Sequence, residues 1–247
     1  TLYHENLVQL LGYGQTKEHM CLIMEYVPGG TLRDTVRRYG RALPLMAIKR
    51  FLVGILRGLE YLHDRGLVHG NLRPEDVMAA VEGLYKLRGV SMACTAEAAA
   101  AMTEERLRAE SCLNRWAYSS PEVFTTGKKG AAADIYAVGV ILLELITNQT
   151  PWRWMEGTVT RPLQNISPAE DENIRQQNTK KTLVELTAIL SDYDRMKVAQ
   201  MERKISLVEI PREGDALIQE VLKSCLVTDP EGRKTASELL QLLSSMQ

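Results

Sequence analysis

The stretch of this chain that decides the fold reads His69-Gly70-Asn71-Leu72-Arg73-Pro74-Glu75-Asp76. It follows a long segment of helical apolar period, which opens at Pro44 and closes at Gly66. Two short apolar runs come after it, at 77–81 and 84–87, and the pair Glu82-Gly83 predicts a turn between them. The stretch is therefore expected to form a polar loop that connects the end of a long helix to a small hairpin.

Bulk composition excludes several classes of function. The 247 residues are 45% apolar and 25% charged, which is typical of a soluble globular domain, and the net charge is −1. That charge provides no field for nucleic acid or for an acidic membrane surface, so neither partner is expected. The 4 cysteines are far apart and show no C-x-x-C spacing, which favours reduced thiols in the cytoplasm over zinc or disulfides.

The residues before the loop predict a small sheet and a short helix. Apolar runs at 7–11 and 20–26 are separated by glycines and polar residues, which is typical of two neighbouring strands. Thr31 then caps a helix that runs to about Tyr39, where Gly40 ends it.

The residues after the loop predict a mainly helical body. Ala131–Thr147 is apolar on nearly all sides, as expected of a buried helix, and Thr235-Ala236-Ser237-Glu238 is a capping box that opens the last helix. Residues 157–203 are the least patterned part of the chain and are interpreted as an exposed insertion. Strands followed by helices, with little alternation, indicate an α+β fold.

Several blocks of this sequence, in their order and spacing, resemble the motifs of protein kinases. They are His4–Gly12, Met24–Leu32, Gly58–His63, Ser120–Glu122, Asp134–Gly139 and Arg233. The stretch 69–76 is similar to the H-R-D-L-K-P-E-N loop of that family, and residues 147–152 look most like the mitogen-activated protein kinase kinase kinases. The resemblance implies a protein kinase-like α+β fold, mainly the helical C-lobe with a remnant of the N-lobe sheet. Residues 1–27 would then be the end of the N-lobe and the hinge, and 28–247 the C-lobe, with the insertion at about 157–203.

Two positions depart from the family pattern where its chemistry is carried out. The resemblance places Asn71 where kinases have the aspartate that accepts the hydroxyl proton, and an amide cannot take up a proton near pH 7. It places Gly89 where the D-F-G aspartate holds Mg²⁺, so the main metal ligand is missing. No catalytic side chain is therefore expected at either position.

The resemblance also implies roles for other residues. A nucleotide, if its binding is retained, would lie among Glu25, Val27, Leu32 and Met78. Asp76 is the residue of the loop that could bind a cation. Scaffold roles are implied for His69 in an apolar stack, for Asp134 as an acceptor of loop hydrogen bonds, and for Glu122 paired with Arg233.

The segment from Gly89 to Pro121 corresponds to the activation loop of kinases. Its residues 96–108 are strong helix formers, and Gly70 stands where the family has an arginine that would bind a phosphate on this loop. We therefore expect a helix at 96–108 that covers the cleft or presents a surface to a partner, rather than a phosphorylation switch.

These departures lead to the prediction of a pseudokinase that is not an enzyme and requires no cofactor, although ATP or Mg²⁺ could still bind. Such a domain would be a scaffold or an allosteric regulator of a protein partner, for example an active kinase in a signalling cascade. Two alternatives stay open. One is a divergent, slow Ser/Thr protein kinase that uses Asp76 for metal, and the other is a nucleotide sensor without turnover.

Overall fold

The computed structural model describes residues 2–16, 19–90, 94–95, 117–127, 129–148, 152–154, 205–207 and 214–245. In these residues the helices are α1 (Leu32–Tyr39), α2 (Leu45–His63), α3 (Pro121–Thr126), α4 (Ala131–Thr147), α5 (Ala216–Cys225) and α6 (Ala236–Ser244). The strands are β1 (Leu10–Gln15), β2 (Met20–Met24), β3 (Leu67–Val68), β4 (Val77–Ala79), β5 (Tyr85–Leu87), β6 (Cys94–Thr95), β7 (Trp152–Trp154) and β8 (Ile205–Leu207). They form antiparallel pairs of β1 with β2, β3 with β6, β4 with β5, and β7 with β8.

The ends of α1 and α6 are set by short polar signals in the sequence. The Thr31 side chain accepts a hydrogen bond from the backbone of Asp34, whose carboxylate accepts one from the Thr31 backbone in return. Thr235 and Glu238 form the same reciprocal capping box at the start of α6. Such a box satisfies two N–H groups that the first helical turn leaves without partners, so these helices begin where the sequence predicted.

The core lies between α2 and α4, which present their apolar residues to each other and to α5 and α6. The buried face of α2 comprises Ile48, Phe51, Leu52, Ile55, Leu56, Leu59 and Leu62. Helix α4 is buried on nearly all sides from Ala133 to Leu145, as its uniformly apolar sequence predicted. Gly139 lets α5 approach closely, because a Cβ on this residue would lie 2.6 Å from the Cβ of Cys225.

The segment before β1 runs along β5 and brings the N-terminal residues to the loop. The Val8 N–H donates to the Leu87 carbonyl, and the Leu87 N–H donates to the Asn6 carbonyl, each at 2.8 Å. The Asn6 side chain also donates to the Tyr85 carbonyl at 2.9 Å. Residues 6–8 therefore run beside β5, and α2 packs against both of them, since Gly54 and Gly58 approach Asn6 and the residues of β5.

The structure moves several element boundaries relative to the sequence predictions. The first strand occupies Leu10–Gln15 rather than 7–11, and it continues through Gly12 and Gly14, which had been taken as strand breakers. It is shifted because residues 7 and 8 bond to β5 instead of to β2. Residues 81–83 form a 3₁₀ turn, so β4 ends at Ala79 and not at residue 81.

Two sequence predictions lie outside the described residues, namely the helix at 96–108 and the insertion at 157–203. The division of the chain at residues 27 and 28 stays a prediction. Within the described ranges, every helix is too short or too polar to cross a bilayer.

Candidate functional site

The polar loop at 69–76 is attached to the helical core through Asp134. Helix α4 carries this residue in its first turn, where it is almost fully buried. Its carboxylate accepts the backbone N–H groups of His69 and Gly70, each at 2.8 Å, and contacts His63 Nε2 at 3.0 Å. The loop backbone is thus held by charge-assisted hydrogen bonds, which are stronger than neutral ones.

Asp134 stays ionised in spite of its burial. Burial would raise the pKa of its carboxyl group, but the hydrogen bond and charge of His63, together with the loop donors, lower the pKa below 3.8. A buried carboxylate at this place therefore acts as a permanent negative anchor for the loop at neutral pH.

Asn71 lies next to this anchor and borders a small cavity. The cavity has a volume of about 20 Å³, and its walls are residues 70–72, residues 118–120, Lys129 and the first turns of α4. That volume is enough for about one water molecule. The residue at the position of the proton acceptor thus borders a small cavity that has both polar and apolar walls.

Lys129 is a residue of this site that sequence reasoning missed. It is 6% exposed, and its Cδ would lie 3.7 Å from a Cβ placed on Gly70. Gly70 has a φ of +70°, a backbone conformation that residues other than glycine rarely adopt. The aliphatic part of Lys129 thus lies against the loop backbone at the position where the kinase pattern has an arginine side chain. The pair Lys128-Lys129 ahead of α4 provides no sequence signal for such a placement.

Gly89 lies against two side chains of the loop. Its φ is +85°, and a Cβ there would lie 3.5 Å from His69 Nε2 and 3.7 Å from Asp76 Oδ1. His69 is buried, and its Nε2 lies 2.8 Å from the Arg88 carbonyl, so this ring fixes the backbone just before Gly89. The structure thus brings His69, Asp76 and Gly89 together, as the resemblance implied, without a second carboxylate.

Asp76 is already surrounded by cations. Its Oδ2 accepts a hydrogen bond from Arg73 Nε at 3.0 Å, and its Oδ1 lies 3.9 Å from an NH2 group of Arg88. The resemblance to kinases implies Mg²⁺ near this carboxylate. The donors do not fit it: two guanidinium groups repel a further cation, and the described residues contain no group of three or more His, Cys, Asp or Glu that could hold a metal ion.

The residues predicted to surround a nucleotide do not all reach a surface. Leu32 is fully buried in the main core, and its contact with a nucleotide stays a prediction. Val27 is 8% exposed, and Met78 lies beside Thr31 in an isolated backbone bridge. The Glu25 carboxylate pairs with Lys86 at 2.5 Å, so this side chain is engaged with β5.

Glu122 and Arg233 form a bidentate pair between α3 and the residues that precede α6. The two oxygens of Glu122 accept from two nitrogens of Arg233 at 2.5 and 2.8 Å. Burial would raise the pKa of Glu122, but the hydrogen bonds from Arg233 outweigh it and lower the pKa. The pair joins segments that are 111 residues apart in sequence.

A second buried network was missed from the sequence. Arg33 of α1 pairs with Glu75 at 3.0 Å and also contacts Glu144 of α4 and the Tyr118 hydroxyl. The Tyr118 hydroxyl in turn donates to Glu144 at 2.6 Å. Burial and the Glu144 charge raise the pKa of Tyr118 well above its ordinary value. This network ties α1, the loop and residue 118 to α4.

Comparisons with known proteins identify the family to which this sequence is similar. The family model described as "Protein kinase domain" matches residues 1–243. The chain is 30% identical over 153 residues to MAP3K epsilon protein kinase 1 of Arabidopsis thaliana. That alignment covers 61% of this chain and 11% of the relative. The chain is 26% identical over 194 residues to serine/threonine-protein kinase STY46 of the same plant. This second alignment covers 77% of the chain and 32% of the relative. The chain is 34% identical over 151 residues to serine/threonine-protein kinase PknL of Mycobacterium tuberculosis, with coverages of 61% and 36%. The alignments thus span a third or less of two of these relatives and little more than a third of the other.

These findings confirm the resemblance to protein kinases and to mitogen-activated protein kinase kinase kinases, and with it the α+β kinase-like fold. They contradict the prediction that the chain is not an enzyme. That prediction relied on Asn71 and Gly89, whereas the kinase family model matches almost the whole chain and the relatives bear the names of kinases. The chain belongs to the protein kinase domain family.

Proposed function

We propose that this domain is a divergent Ser/Thr protein kinase that transfers the γ-phosphoryl group of ATP slowly. The observation that carries the proposal is the anchored loop, in which Asp134 accepts the His69 and Gly70 N–H groups and so holds Asn71 beside a small cavity. The family match and the names of the relatives support the same activity.

Slow transfer is compatible with an amide at position 71. Phosphoryl transfer passes through a loose transition state, and its catalysis depends mainly on positioning and on electrostatic stabilisation. A general base contributes a factor of about 10²–10⁴ in rate. We therefore expect turnover slower by about that factor than the roughly 1–100 s⁻¹ of ordinary protein kinases.

In the proposed reaction, a serine or threonine hydroxyl oxygen attacks the γ-phosphorus of ATP and forms a new O–P bond. The bond from that phosphorus to the β,γ-bridging oxygen breaks, and ADP leaves with the electron pair. The hydroxyl proton passes to water, since Asn71 cannot take it up. The Asn71 carbonyl can still accept a hydrogen bond from the hydroxyl and orient it.

We propose a nucleotide position beside the hinge. Val27 and Met78 would lie at the base, while the backbone near Glu25 would supply hydrogen bonds. Leu32 takes no part in this proposal, because it is enclosed by the core. The β4–β5 hairpin and the loop would then lie next to the phosphates.

We also propose that the substrate is a protein of a signalling cascade and that the domain works in the cytoplasm. The first point is supported by similarity to a protein named as a MAP3K. The second is supported by the described cysteines, Cys21, Cys94 and Cys225, which are free thiols.

The test is transfer of ³²P from ATP to a serine- and threonine-containing peptide library by the full-length protein. We expect slow labelling that rises about 10²-fold or more in Asn71→Asp, because the aspartate restores a proton acceptor. Asn71→Ala is the matched control and should not rise, and a contaminating kinase would respond to neither substitution. Absence of labelling in both the wild type and Asn71→Asp would contradict the proposal.

A further inference from the structure

The carboxylate of Asp76 lies between two arginines of unequal exposure. The Arg73 side chain is 23% exposed, that of Arg88 is 40% exposed, and that of Asp76 is 9% exposed. The three groups together carry a charge of +1, with the positive groups on the outside and the negative group within. We call Arg73, Asp76 and Arg88 the arginine cluster.

Most donors of the arginine cluster have no acceptor in the part of the chain that the structure describes. Arg73 uses Nε for Asp76, and its two NH₂ groups have no hydrogen-bond acceptor among the described residues. Arg88 donates from NH2 to the Glu75 carbonyl at 3.0 Å, which holds the guanidinium next to the loop. A planar guanidinium presents paired N–H groups that match phosphate oxygens, so the cluster offers a preformed place for a phosphate.

Gly89 follows Arg88 directly and presents no side chain to the cluster. A Cβ there would lie 3.7 Å from Asp76 Oδ1, at ordinary van der Waals distance, so the glycine leaves room for a small group beside the carboxylate. The backbone of Arg88 is fixed by the contact of its carbonyl with His69 Nε2 and by the bond from its N–H to the Asp76 carbonyl at 2.7 Å. An incoming anion would therefore meet two oriented cations rather than a carboxylate that first needs a metal ion.

We infer that the arginine cluster binds the polyphosphate of a nucleotide directly, in place of a divalent cation, so that Asp76 is a counter-ion and not a metal ligand. The inference rests on the proposed function for the identity of the nucleotide as ATP. The metal-binding prediction for Asp76 and this inference differ in one measurable respect. A metal ligand makes ATP binding depend on Mg²⁺, whereas a cluster of guanidinium groups does not.

The experiment measures the dissociation constant of ATP for the full-length protein by calorimetry, once with Mg²⁺ and once with EDTA. We expect the two constants to agree within about threefold, since the cluster already supplies the positive charge. Binding that occurs only with Mg²⁺, or no binding in either buffer, overturns the inference.

Substitutions identify the groups responsible. Arg73→Met and Arg88→Met should each raise the dissociation constant in EDTA by about 10-fold or more, which is the effect of losing one charge-assisted hydrogen bond. Arg57→Met is the matched control, because Arg57 is 54% exposed and pairs with Glu5 on α2's outer side, so this variant should bind as the wild type does. Equal binding by all three variants overturns the inference.

Asp76→Asn separates the two roles of the carboxylate. If Asp76 is a counter-ion, the neutral amide leaves more positive charge for the phosphates, and ATP binds several-fold more tightly in both buffers. If Asp76 holds a metal ion, the same substitution weakens binding in Mg²⁺, which would overturn the inference. Circular dichroism melting of each variant verifies that it is folded.

The outcome also separates this inference from the proposed function. ATP that binds in EDTA without any peptide labelling would refute slow kinase activity and leave the arginine cluster intact. Peptide labelling that requires Mg²⁺, with ATP binding lost in EDTA, would refute the cluster and leave the kinase activity.

Discussion

Arg233 and Arg73 both face a carboxylate, but the first is enclosed by the helical body and the second lies at the edge of the loop. Arg233 has no exposed side-chain surface, and its donors reach both Glu122 oxygens and the carbonyls of Val227, Thr228 and Ala132. Arg73 reaches Asp76 with a single nitrogen and is partly exposed. The difference indicates that an arginine whose donors are all used stabilises the fold, while one with donors left over can bind a ligand.

The largest expected effect is at the enclosed pair. Arg233→Met should lower the free energy of unfolding by about 3–5 kcal/mol, because it leaves Glu122 partly buried without its partner. Urea denaturation followed by circular dichroism measures the loss, with Arg57→Met as the exposed control. A loss similar to that of the control would show that enclosure does not distinguish the two arginines.

The anchor of the loop should show the next largest effect. Asp134→Asn should lower the free energy of unfolding by about 1.5–3 kcal/mol at pH 7, which is the usual range for hydrogen bonds to a charged group. Because the folded pKa of Asp134 is lowered, its stabilisation is fully present above the unfolded pKa of 3.8 and is lost as pH falls through the folded pKa.

The gap between the wild type and Asp134→Asn should therefore begin to close near pH 5 and shrink further toward pH 3. Urea denaturation at several pH values measures this gap, and Asp64→Asn at the exposed end of α2 is the matched control. A gap that stays constant down to pH 3 would contradict the anchoring role.

Removal of the Tyr118 hydroxyl tests the buried network, and its expected effect on stability is intermediate in size. Tyr118→Phe removes the donor to Glu144 but leaves Arg33 in contact with that carboxylate, so a loss of about 1 kcal/mol is expected. Tyr13→Phe, at a residue that is 75% exposed, should change stability very little. Thermal or urea denaturation of both variants measures the difference, and equal values would argue against the network.

The smallest effect on stability is expected at the loop. Arg73→Met should change the free energy of unfolding by less than about 1 kcal/mol, because a partly exposed ion pair contributes little. The same denaturation experiment applies, so the result is directly comparable with that of Arg233→Met. A loss of equal size would mean that the arginine cluster is a scaffold element and not a ligand site.

The local patterns predicted much of this structure. The capping residues Thr31 and Thr235, the apolar period of α2 and the uniform apolarity of α4 are all properties of neighbouring residues, and each was placed from sequence. The kinase-like motifs predicted the family for a related reason, since they are short and consecutive. The boundaries of β1 and β4 were misplaced because strand pairing depends on a partner that the strand itself does not specify.

The prediction of lost enzyme activity shows a different kind of error. It treated the identity of Asn71 and Gly89 as decisive, although positioning and electrostatics supply most of the catalysis of phosphoryl transfer. The sequence did show that no proton acceptor stands at residue 71. The bonding of Asp134 to this loop was implied by the resemblance and not by residue types. Neither indicated that two arginines lie beside the loop carboxylate.

Residue types and short spacings were thus enough to identify the family and the helices α1, α2, α4 and α6. The charge partners of Arg33 were not identified, because Arg33 and Glu144 are 111 residues apart and meet only when the helices pack. The pair of Glu122 and Arg233, separated by the same number of residues, was implied by the resemblance alone. Folding also decided that Leu32 is enclosed, that Lys129 lies on the loop and that Asp76 is shared by two guanidinium groups. Burial and long-range contact arise from the relative placement of whole elements, and no local pattern encodes that placement.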